Sequence, residues 1–301
     1  MSGSQPDHHR TLRHSLESIR SELREHGIYE WQIEADVLLR HVLGVARSDF
    51  LSLVYGGDSH LTHTQLHRLD ASIKRRIGGE PLAYITGQRE FYGLDLEVNE
   101  SVLIPRQETE LLVELVLDHL TSRDEGHGPP TVVDVGTGSG AVALAVAAHA
   151  DNARVIGVEI SPSALAVAMR NRDRLLGSCV EFVLGDLLTA IAAPVDVILS
   201  NPPYIPSGTL ASLAVEVRRE PTVALDGGVD GLDHFRRLAT QAGERLAPGG
   251  VLIVEIMPEQ MDAAVEIVRR TVISIASVST RSDLMGNSRA LVAQKELSPL
   301  P

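Results

Sequence analysis

The stretch VVDVGTGSGA, residues 132–141, joins an apolar strand pattern to a glycine-rich turn, and a helical pattern follows it. Strand, glycine turn and helix in this order let a ligand approach bare backbone at the start of a helix. Gly136, Gly138 and Gly140 fit a GxGxG pattern, and with Ala141 they also fit the GxGxxA form of the dinucleotide fingerprint. The turn Gly136–Gly140, including Thr137 and Ser139, therefore predicts a binding site for a nucleotide-containing ligand.

Acidic residues follow the next two predicted strands. Glu159 ends the first of them, 23 residues after Gly136, where a carboxylate can accept hydrogen bonds from both hydroxyls of an adenosine ribose. Asp186 follows the second and can accept from the adenine amino group, and we place Leu187 in the same site. These residues fit NAD and S-adenosyl-L-methionine equally well.

Strand and helix patterns alternate after residue 130. The strand patterns lie at 131–135, 153–158, 180–184, 195–199 and 251–256, and the helical patterns at 139–149, 161–176 and 232–246. This alternation predicts an α/β fold with a parallel sheet and helices on both faces. Two further strand patterns, near 271–278 and 289–294, are separated by a short loop, so we expect them to form an antiparallel edge pair.

The sequence SNPPYIP, residues 200–206, follows the fourth of these strands. In doubly wound sheets, ligands bind in the crevice at the carboxyl ends of the strands, and Asn201 lies just past such an end. Pro202 and Pro203 have no N–H groups, so their carbonyls can act as acceptors at a stiff corner. With the side-chain oxygen of Asn201 they can bind both hydrogens of a planar NH2 group, and Tyr204 can stack on that group. Asn201, Pro202 and Tyr204 are therefore the candidate catalytic residues, and Pro203 joins them in binding the substrate.

Composition and charge limit the partners. The chain has 301 residues, 44% of them hydrophobic, and a formal net charge of −13. Residues 1–82 hold 10 basic and 11 acidic side chains, so nearly all of the negative charge lies in the rest of the chain and counts against direct nucleic-acid binding. A single cysteine, no apolar N-terminal stretch and no apolar run long enough to span a membrane favour a cytoplasmic protein.

The first 80 residues show helical periodicity and indicate a small helical bundle. Apolar residues keep one face in each of three segments: Leu12, Leu16, Ile19 and Leu23; Ala35, Leu38, Leu39 and Val42; Leu66, Leu69, Ile73 and Ile77. We expect the basic cluster at 74–76 to be solvated at the end of the third helix. His63 and His67 are spaced as metal ligands can be, but no third ligand accompanies them, so we expect no metal site. Between Tyr84 and Val102, short extended patterns with Gly87 and Gly93 predict a hairpin.

The chain resembles the class I S-adenosylmethionine methyltransferases with an NPPY motif, and within them the release-factor glutamine methyltransferases, the HemK/PrmC family. The motifs that carry the resemblance extend over almost the whole chain: Glu34-Ala35-Asp36 with Leu38-Leu39, GEPLAYITG at 79–87, Phe91-Tyr92-Gly93, IPRQETE at 104–110, GTGSG at 136–140, NPPY at 201–204, Leu225-Asp226-Gly227-Gly228 with Asp230-Gly231-Leu232, and Asp283-Leu284 with Gly286 and Arg289. The chain departs from the family pattern at Gln107, where the family has Pro, and at Met257-Pro258, where it has a glycine turn. Whether Arg106 and Glu108 contact the cofactor stays open for that reason.

The resemblance implies a Rossmann-like class I methyltransferase sheet with an antiparallel edge pair, an N-terminal helical bundle for substrate recognition at 1–82, a β-hairpin linker at 83–105 and a catalytic domain at 106–301. It implies transfer of a methyl group from S-adenosyl-L-methionine to the side-chain amide nitrogen (N5) of the Gln in the Gly-Gly-Gln motif of peptide chain release factors, with S-adenosyl-L-homocysteine as product. The expected cofactor contacts are Gly136–Gly140, Glu159, Asp186, Leu187 and Asn201.

Three alternatives remain at this stage. The same reaction on a glutamine of ribosomal protein L3 is the nearest. A DNA adenine N6-methyltransferase would also present NPPY to a flipped amino group, although the acidic charge disfavours it. A dinucleotide-dependent dehydrogenase would leave NPPY and the edge pair without a role.

Overall fold

The structure is a computed structural model that describes residues 11–57, 59–122, 128–177, 179–272 and 274–297. These residues form two compact units. The first comprises the described residues up to Gly87 together with Val215–Arg219, and the second comprises Gln88–Ala214 and the described residues from Glu220 onward. Within the described ranges, no helix combines the length and the apolar character that crossing a membrane requires.

The N-terminal unit is helical. Its helices are α1 (Leu12–Glu25), α2 (Trp31–Leu43), α3 (Arg47–Tyr55), α4 (His63–Ile77) and α5 (Leu82–Thr86). The apolar faces predicted for α1, α2 and α4 pack together in one core. The sequence patterns missed α3 and α5, because α3 buries only Phe50 and Val54 and α5 has five residues, too few to show a period.

Arg76, in the last turn of α4, is buried, so the prediction that the whole basic cluster is solvated was wrong. Its guanidinium donates to both carboxylate oxygens of Glu34 on α2, at 2.5 and 3.0 Å, and to Glu216 at 3.0 Å. Arg75 behaves differently and pairs with Glu80 at the unit's surface. A buried arginine needs a bidentate partner of this kind, because desolvation of an unpaired charge is costly.

A hairpin of β1 (Gln88–Phe91) and β2 (Leu94–Glu97) begins the second unit, and its existence was predicted from the sequence. Tyr92 (φ 49°) and Gly93 (φ 78°) form its two-residue turn, where positive φ at both positions matches the twist of the strands. Phe91 and Leu96 pack into the core of the second unit.

A seven-stranded sheet forms the centre of the second unit. Its strands are β3 (Thr131–Val135), β4 (Arg154–Glu159), β5 (Val180–Leu184), β6 (Val195–Ser200), β7 (Leu246–Glu255), β8 (Ile275–Ser282) and β9 (Ser288–Lys295), in the spatial order β5-β4-β3-β6-β7-β9-β8. Neighbours from β5 through β7 are parallel, and β9 is antiparallel to both β7 and β8. The mostly parallel sheet with an antiparallel edge pair is thus confirmed.

Helices cover both faces of this sheet. They are α6 (Glu110–Thr121), α7 (Ala141–His149), α8 (Pro162–Leu175), α9 (Asp233–Arg245) and α10 (Met261–Thr271). Residues of α6 and α7 share one core with Val132, whereas α9 and α10 share the other with Val133, because successive strand residues point to opposite faces. The predicted strand near 271–278 begins only at Ile275, because α10, which the patterns missed, occupies the preceding residues.

The strand order reverses beside β3. The chain passes outward from β3 through β4 to β5, and then returns to place β6 on the other side of β3. The carboxyl ends of β3 and β6 therefore flank the switch point, where open α/β sheets bind their ligands. Gly136 follows the first of these ends, and Asn201 follows the second.

Candidate active site

The glycine turn after β3 has a backbone that favours glycine. Gly136 has φ 74° and Gly138 has φ 57°, in the left-handed region that other residues rarely adopt. A Cβ built on Gly136 would meet nothing within 4 Å, so the conformation rather than crowding requires glycine there. Both glycines line a cleft in the second unit.

The other residues of the turn, Thr137, Ser139 and Gly140, support its conformation through hydrogen bonds and packing and do not line the cleft. Gly140 (φ 83°) allows close packing, because a Cβ there would lie 3.0 Å from the ring of Phe182. The Thr137 hydroxyl donates to Asp134 at 2.6 Å, and the Ser139 carbonyl accepts from Asn171 at 3.0 Å. Thr137, Ser139 and Gly140 thus fix the conformation of the turn, and their contact with the cofactor stays a prediction.

Asp134, in β3, is a buried carboxylate below the turn that the sequence patterns did not single out. Its Oδ2 accepts from the Thr137 hydroxyl and from the Ala143 amide at 3.2 Å. Burial raises the pKa of Asp134 to about 6, the two hydrogen bonds oppose the shift, and the nearby Glu159 adds to it. Asp134 consequently ties the strand, the turn and the first turn of α7 together.

Glu159 ends β4 and is held in place by backbone amides. One carboxylate oxygen accepts from the Gly138 amide at 2.8 Å, and the other accepts from the Ser161 amide at 2.9 Å. Each carboxylate oxygen can accept more than one hydrogen bond, so both retain capacity for a ligand. Since Glu159 also lines the cleft, it presents a fixed pair of acceptors there.

Asp186 and Leu187 follow β5 and line the same cleft. Asp186 pairs with Arg237 of α9 at 2.5 Å on the surface. Leu187 has φ 52°, which is unfavourable for a residue with a Cβ. Such local strain concentrates at ligand sites, and here it orients the segment that borders the cleft.

The cleft itself gathers residues from four strand ends. Of the residues predicted for the site, it is lined by Gly136, Gly138, Glu159, Asp186, Leu187, Asn201 and Pro203. Residues that no sequence pattern had indicated for the site also line the cleft: Ser101, Val102, Leu103, Val223, Ala224 and His234.

Asn201 carries a half-satisfied carboxamide. Its Nδ2 donates to the Thr109 hydroxyl at 3.0 Å. Its Oδ1 is shielded from solvent and has no hydrogen-bond partner among the described residues. A buried polar atom without a partner is costly, and in a cleft it indicates a ligand group that completes the bond.

A buried carboxylate stands behind Asn201. Glu255, at the end of β7, is 1% exposed, and its Oε2 accepts from the hydroxyl of Thr109 at 2.7 Å. Burial raises the pKa of Glu255, while the Thr109 hydrogen bond and Arg289 lower it. Thr109 and Glu255 are a part of the site that sequence reasoning missed, although Thr109 lies within the IPRQETE stretch.

The residues after Asn201 form a well-anchored corner. Pro202 is buried, Pro203 lines the cleft, and neither has an N–H. The Tyr204 carbonyl already accepts from Gln260 at 2.9 Å, so it is engaged within the protein. Burial and the Glu255 carboxylate raise the pKa of the Tyr204 phenol, which therefore stays neutral.

The loop beyond this corner is pinned from the other side. Ile205 donates its amide N–H to the Leu225 carbonyl, and the Gly227 amide donates to the Ile205 carbonyl at 2.8 Å.

Arg106 pairs with buried Glu220 at 2.5 Å, and neither Arg106 nor Glu108 lines the cleft.

Comparison with known proteins agrees with this architecture. Residues 14–87 match the family model "PrmC N-terminal domain", and residues 107–217 match "Methyltransferase small domain". The chain is 39% identical to the release factor glutamine methyltransferase of Moorella thermoacetica, over 95% of this chain and 99% of that protein. It is 37% identical to the protein of the same name from Bradyrhizobium diazoefficiens, over 93% and 95%. A methyltransferase structure from Pyrococcus furiosus has a TM-score of 0.50 at 19% identity, covering 78% of this chain and all of that one, and shares the fold.

Proposed function

The chain belongs to the family of release factor glutamine methyltransferases, and we propose that it methylates the side-chain amide nitrogen (N5) of the Gln in the Gly-Gly-Gln motif of peptide chain release factors. S-adenosyl-L-methionine is the proposed methyl donor. The observation that carries the proposal is the Oδ1 of Asn201 at the switch point of the sheet, because it has no hydrogen-bond partner among the described residues and offers an acceptor where an amide N–H would be bound.

The residues of the cleft fit S-adenosyl-L-methionine. The two oxygens of Glu159 suit the hydroxyls of its ribose, the Asp186 carboxylate suits its adenine amino group, and the bare backbone at Gly136 and Gly138 admits its amino-acid part. When bound, this group supplies a methyl carbon on a positively charged sulfur.

The corner at residues 201–204 acts on the acceptor nitrogen. An amide nitrogen is a poor nucleophile, because its lone pair is delocalised into the carbonyl. Asn201 Oδ1 accepts one N–H of the substrate amide, and the carbonyl of Pro202 accepts the other. These acceptors orient the nitrogen and add electron density as it becomes positive, and a single preorganised contact of this type is worth about 2.7–4 kcal/mol.

Fixing the nitrogen in line with the methyl carbon provides a further part of the rate. Such alignment lowers a barrier by as much as about 7–11 kcal/mol. The stiff prolines, together with the pairing of Ile205 with Leu225 and Gly227, hold the corner still for this purpose. The methylated amide is a strong acid and releases its proton to water, so the reaction needs no dedicated base.

The direct test is transfer of labelled methyl from S-adenosyl-L-methionine to a purified release factor. We expect incorporation into the wild-type factor and none into a factor whose loop Gln is replaced by Ala. Incorporation that persists after this replacement, or transfer only to another protein, would contradict the proposal. Binding of S-adenosyl-L-homocysteine without binding of NADH, followed by thermal shift, tests the choice of cofactor separately.

We further propose that the N-terminal helical unit holds the body of the release factor while its loop enters the cleft, which places the enzyme in the cytoplasm where release factors act. Support comes from the exposed apolar residues of this unit, since Tyr29 is 95% exposed and Ile33 on α2 is 61% exposed. Replacing both by Ser should raise KM for the intact factor and leave KM for a short loop peptide unchanged. Equal KM changes for the two substrates would contradict this role.

A further inference from the structure

We propose that Thr109 and Glu255 are positioning residues that hold the carboxamide of Asn201 with its oxygen available to the substrate. The inference deepens the proposed function and rests on it. It starts from a chain of two hydrogen bonds, from Asn201 Nδ2 to Thr109 Oγ1 at 3.0 Å and from Thr109 Oγ1 to Glu255 Oε2 at 2.7 Å.

The direction of these hydrogen bonds follows from the number of protons available. An ionised carboxylate has only acceptors, so the single hydroxyl proton of Thr109 must go to Glu255. The Thr109 oxygen can then only accept, and the group that approaches it from Asn201 has to be the NH2. The carboxamide oxygen of Asn201 is thereby placed at the opposite corner, where it has no partner among the described residues.

The opposite orientation of the carboxamide would prevent the reaction. It would set the Asn201 oxygen against the lone pairs of Thr109 and would direct an NH2 group at the NH2 group of the substrate. Two donors cannot hydrogen-bond to each other, so the substrate nitrogen would lose an acceptor. The orientation is thus a requirement of the chemistry as well as of packing.

The surroundings keep this arrangement dry. Thr109 is 4% exposed and Glu255 is 1% exposed, so water does not compete for their hydrogen bonds. In such an environment a hydrogen-bond chain is electrostatically stronger than at the surface. Thr109 begins the turn into α6 and Glu255 ends β7, so both come from rigid elements.

The arrangement also makes activity depend on the protonation of Glu255. Burial raises the pKa of Glu255, the Thr109 hydroxyl and Arg289 lower it, Glu108 raises it, and the hydrogen bond from Tyr204 lowers it. A protonated Glu255 can donate to Thr109, which then can donate to the oxygen of Asn201. Falling pH should therefore reduce kcat/KM through this group, and Glu255→Gln should remove that pH dependence.

The experiment compares Thr109→Val with Thr109→Ser in the full-length enzyme. Loss of the hydroxyl leaves the Asn201 NH2 without its partner, and we expect kcat/KM for the release factor to fall by about tenfold. The Ser variant keeps the hydroxyl and should retain wild-type kcat/KM. Thr271→Val is the matched control, because the hydroxyl of Thr271 donates to the Ile267 carbonyl within its own helix, α10, at 2.7 Å.

Affinity for S-adenosyl-L-homocysteine separates positioning from unfolding and should stay close to wild type, whereas the melting temperature should fall, because Thr109→Val leaves the Glu255 carboxylate and the Asn201 NH2 without this hydrogen-bond partner. A loss in Thr109→Val of less than about threefold would overturn the inference, as would failure of Thr109→Ser to restore activity. If Thr109→Val does not fold, the pH profile of kcat/KM in Glu255→Gln carries the test, and a profile that keeps the wild-type pH dependence would overturn the inference. A wild-type enzyme that fails to methylate the factor would instead contradict the proposed function.

The side-chain NH2 signal of Asn201 in a ¹H–¹⁵N NMR spectrum reports the hydrogen bond of this group with Thr109 without any enzymatic reaction. It is assigned by its absence in Asn201→Ala. We expect this signal to shift in Thr109→Val and to remain in Thr109→Ser. An unchanged signal in Thr109→Val would contradict the inference even if the substrate were another protein.

Discussion

Asn201→Ala should remove most of the methyl transfer without lowering the stability of the fold. The side chain makes one hydrogen bond, from Nδ2 to Thr109 at 3.0 Å, and its Oδ1 is buried without a partner among the described residues. Loss of the hydrogen bond costs about 1 kcal/mol, whereas removal of an unsatisfied buried acceptor gains about 1–3 kcal/mol. The net effect lies between no change and a gain of about 2 kcal/mol, so the melting temperature should not fall.

The effect on the reaction is much larger. Asn201 supplies an acceptor that is fixed before the substrate arrives, and deleting one preorganised polar contact lowers kcat by about 10²–10³-fold. Labelled-methyl transfer to a release factor measures kcat. Titration with S-adenosyl-L-homocysteine shows that the cofactor site remains intact.

A second buried asparagine provides the matched comparison. Asn171 on α8 accepts from the Glu97 amide at 2.7 Å and donates to the carbonyls of Glu97 and Ser139 at 2.9 and 3.0 Å. Asn171 also accepts from Arg174 at 3.2 Å. Because these hydrogen bonds are lost, Asn171→Ala should destabilise the protein by about 3 kcal/mol. A kcat of Asn201→Ala within tenfold of wild type would contradict this role of Asn201, as would a melting temperature of Asn201→Ala as low as that of Asn171→Ala.

Three further predictions concern buried charges. Glu159→Gln should weaken binding of S-adenosyl-L-homocysteine by about 10–100-fold, because charge-assisted hydrogen bonds are worth about 1.5–3 kcal/mol. Calorimetry measures this affinity, with Glu181→Gln, at an exposed position of β5, as the control variant. An unchanged affinity in Glu159→Gln would contradict the prediction. Burial raises the pKa of Asp134 from 3.8 to about 6, so the folded protein keeps this proton to a higher pH than the unfolded chain does. The contribution of protonated Asp134 to folding stability is therefore present below about pH 4 and is lost as the pH rises to about 6. Asp134→Asn should therefore be more stable at pH 7 by up to about 3 kcal/mol and no more stable at pH 3.5, and equal urea midpoints at pH 7 would refute this. Arg76→Ala should lower stability by about 3–5 kcal/mol, because it leaves Glu34 charged and buried; the double variant Glu34→Leu with Arg76→Met should recover most of that loss in urea unfolding.

The sheet could be predicted from the sequence because its central strands are buried on both faces and therefore appear as continuous apolar runs, as at residues 131–135 and 195–199. The missed helices are those whose apolar signal is weak or crowded. The short helices α3 and α5 bury few side chains. Helix α10 lies directly before the predicted strand near 271–278, and that predicted strand included the last residue of α10.

The site was predictable where a residue type and a strand end coincide, as for Glu159 and Asn201. The partners of Asn201 were not, because Thr109 and Glu255 are 146 residues apart in the sequence and meet only through the strand order of the sheet. Arg76 shows the same limit, since its partner Glu34 lies 42 residues away and nothing local indicates that the arginine is buried.

The central claim is that Asn201 Oδ1 accepts an N–H of the substrate glutamine amide beside the methyl donor. A crystal structure of the enzyme with S-adenosyl-L-homocysteine and a Gly-Gly-Gln peptide tests it most directly. We expect the glutamine nitrogen to lie within hydrogen-bond distance of Asn201 Oδ1 and of the Pro202 carbonyl, facing the sulfur. A glutamine amide bound elsewhere, or an Asn201 oxygen turned toward Thr109, would contradict it.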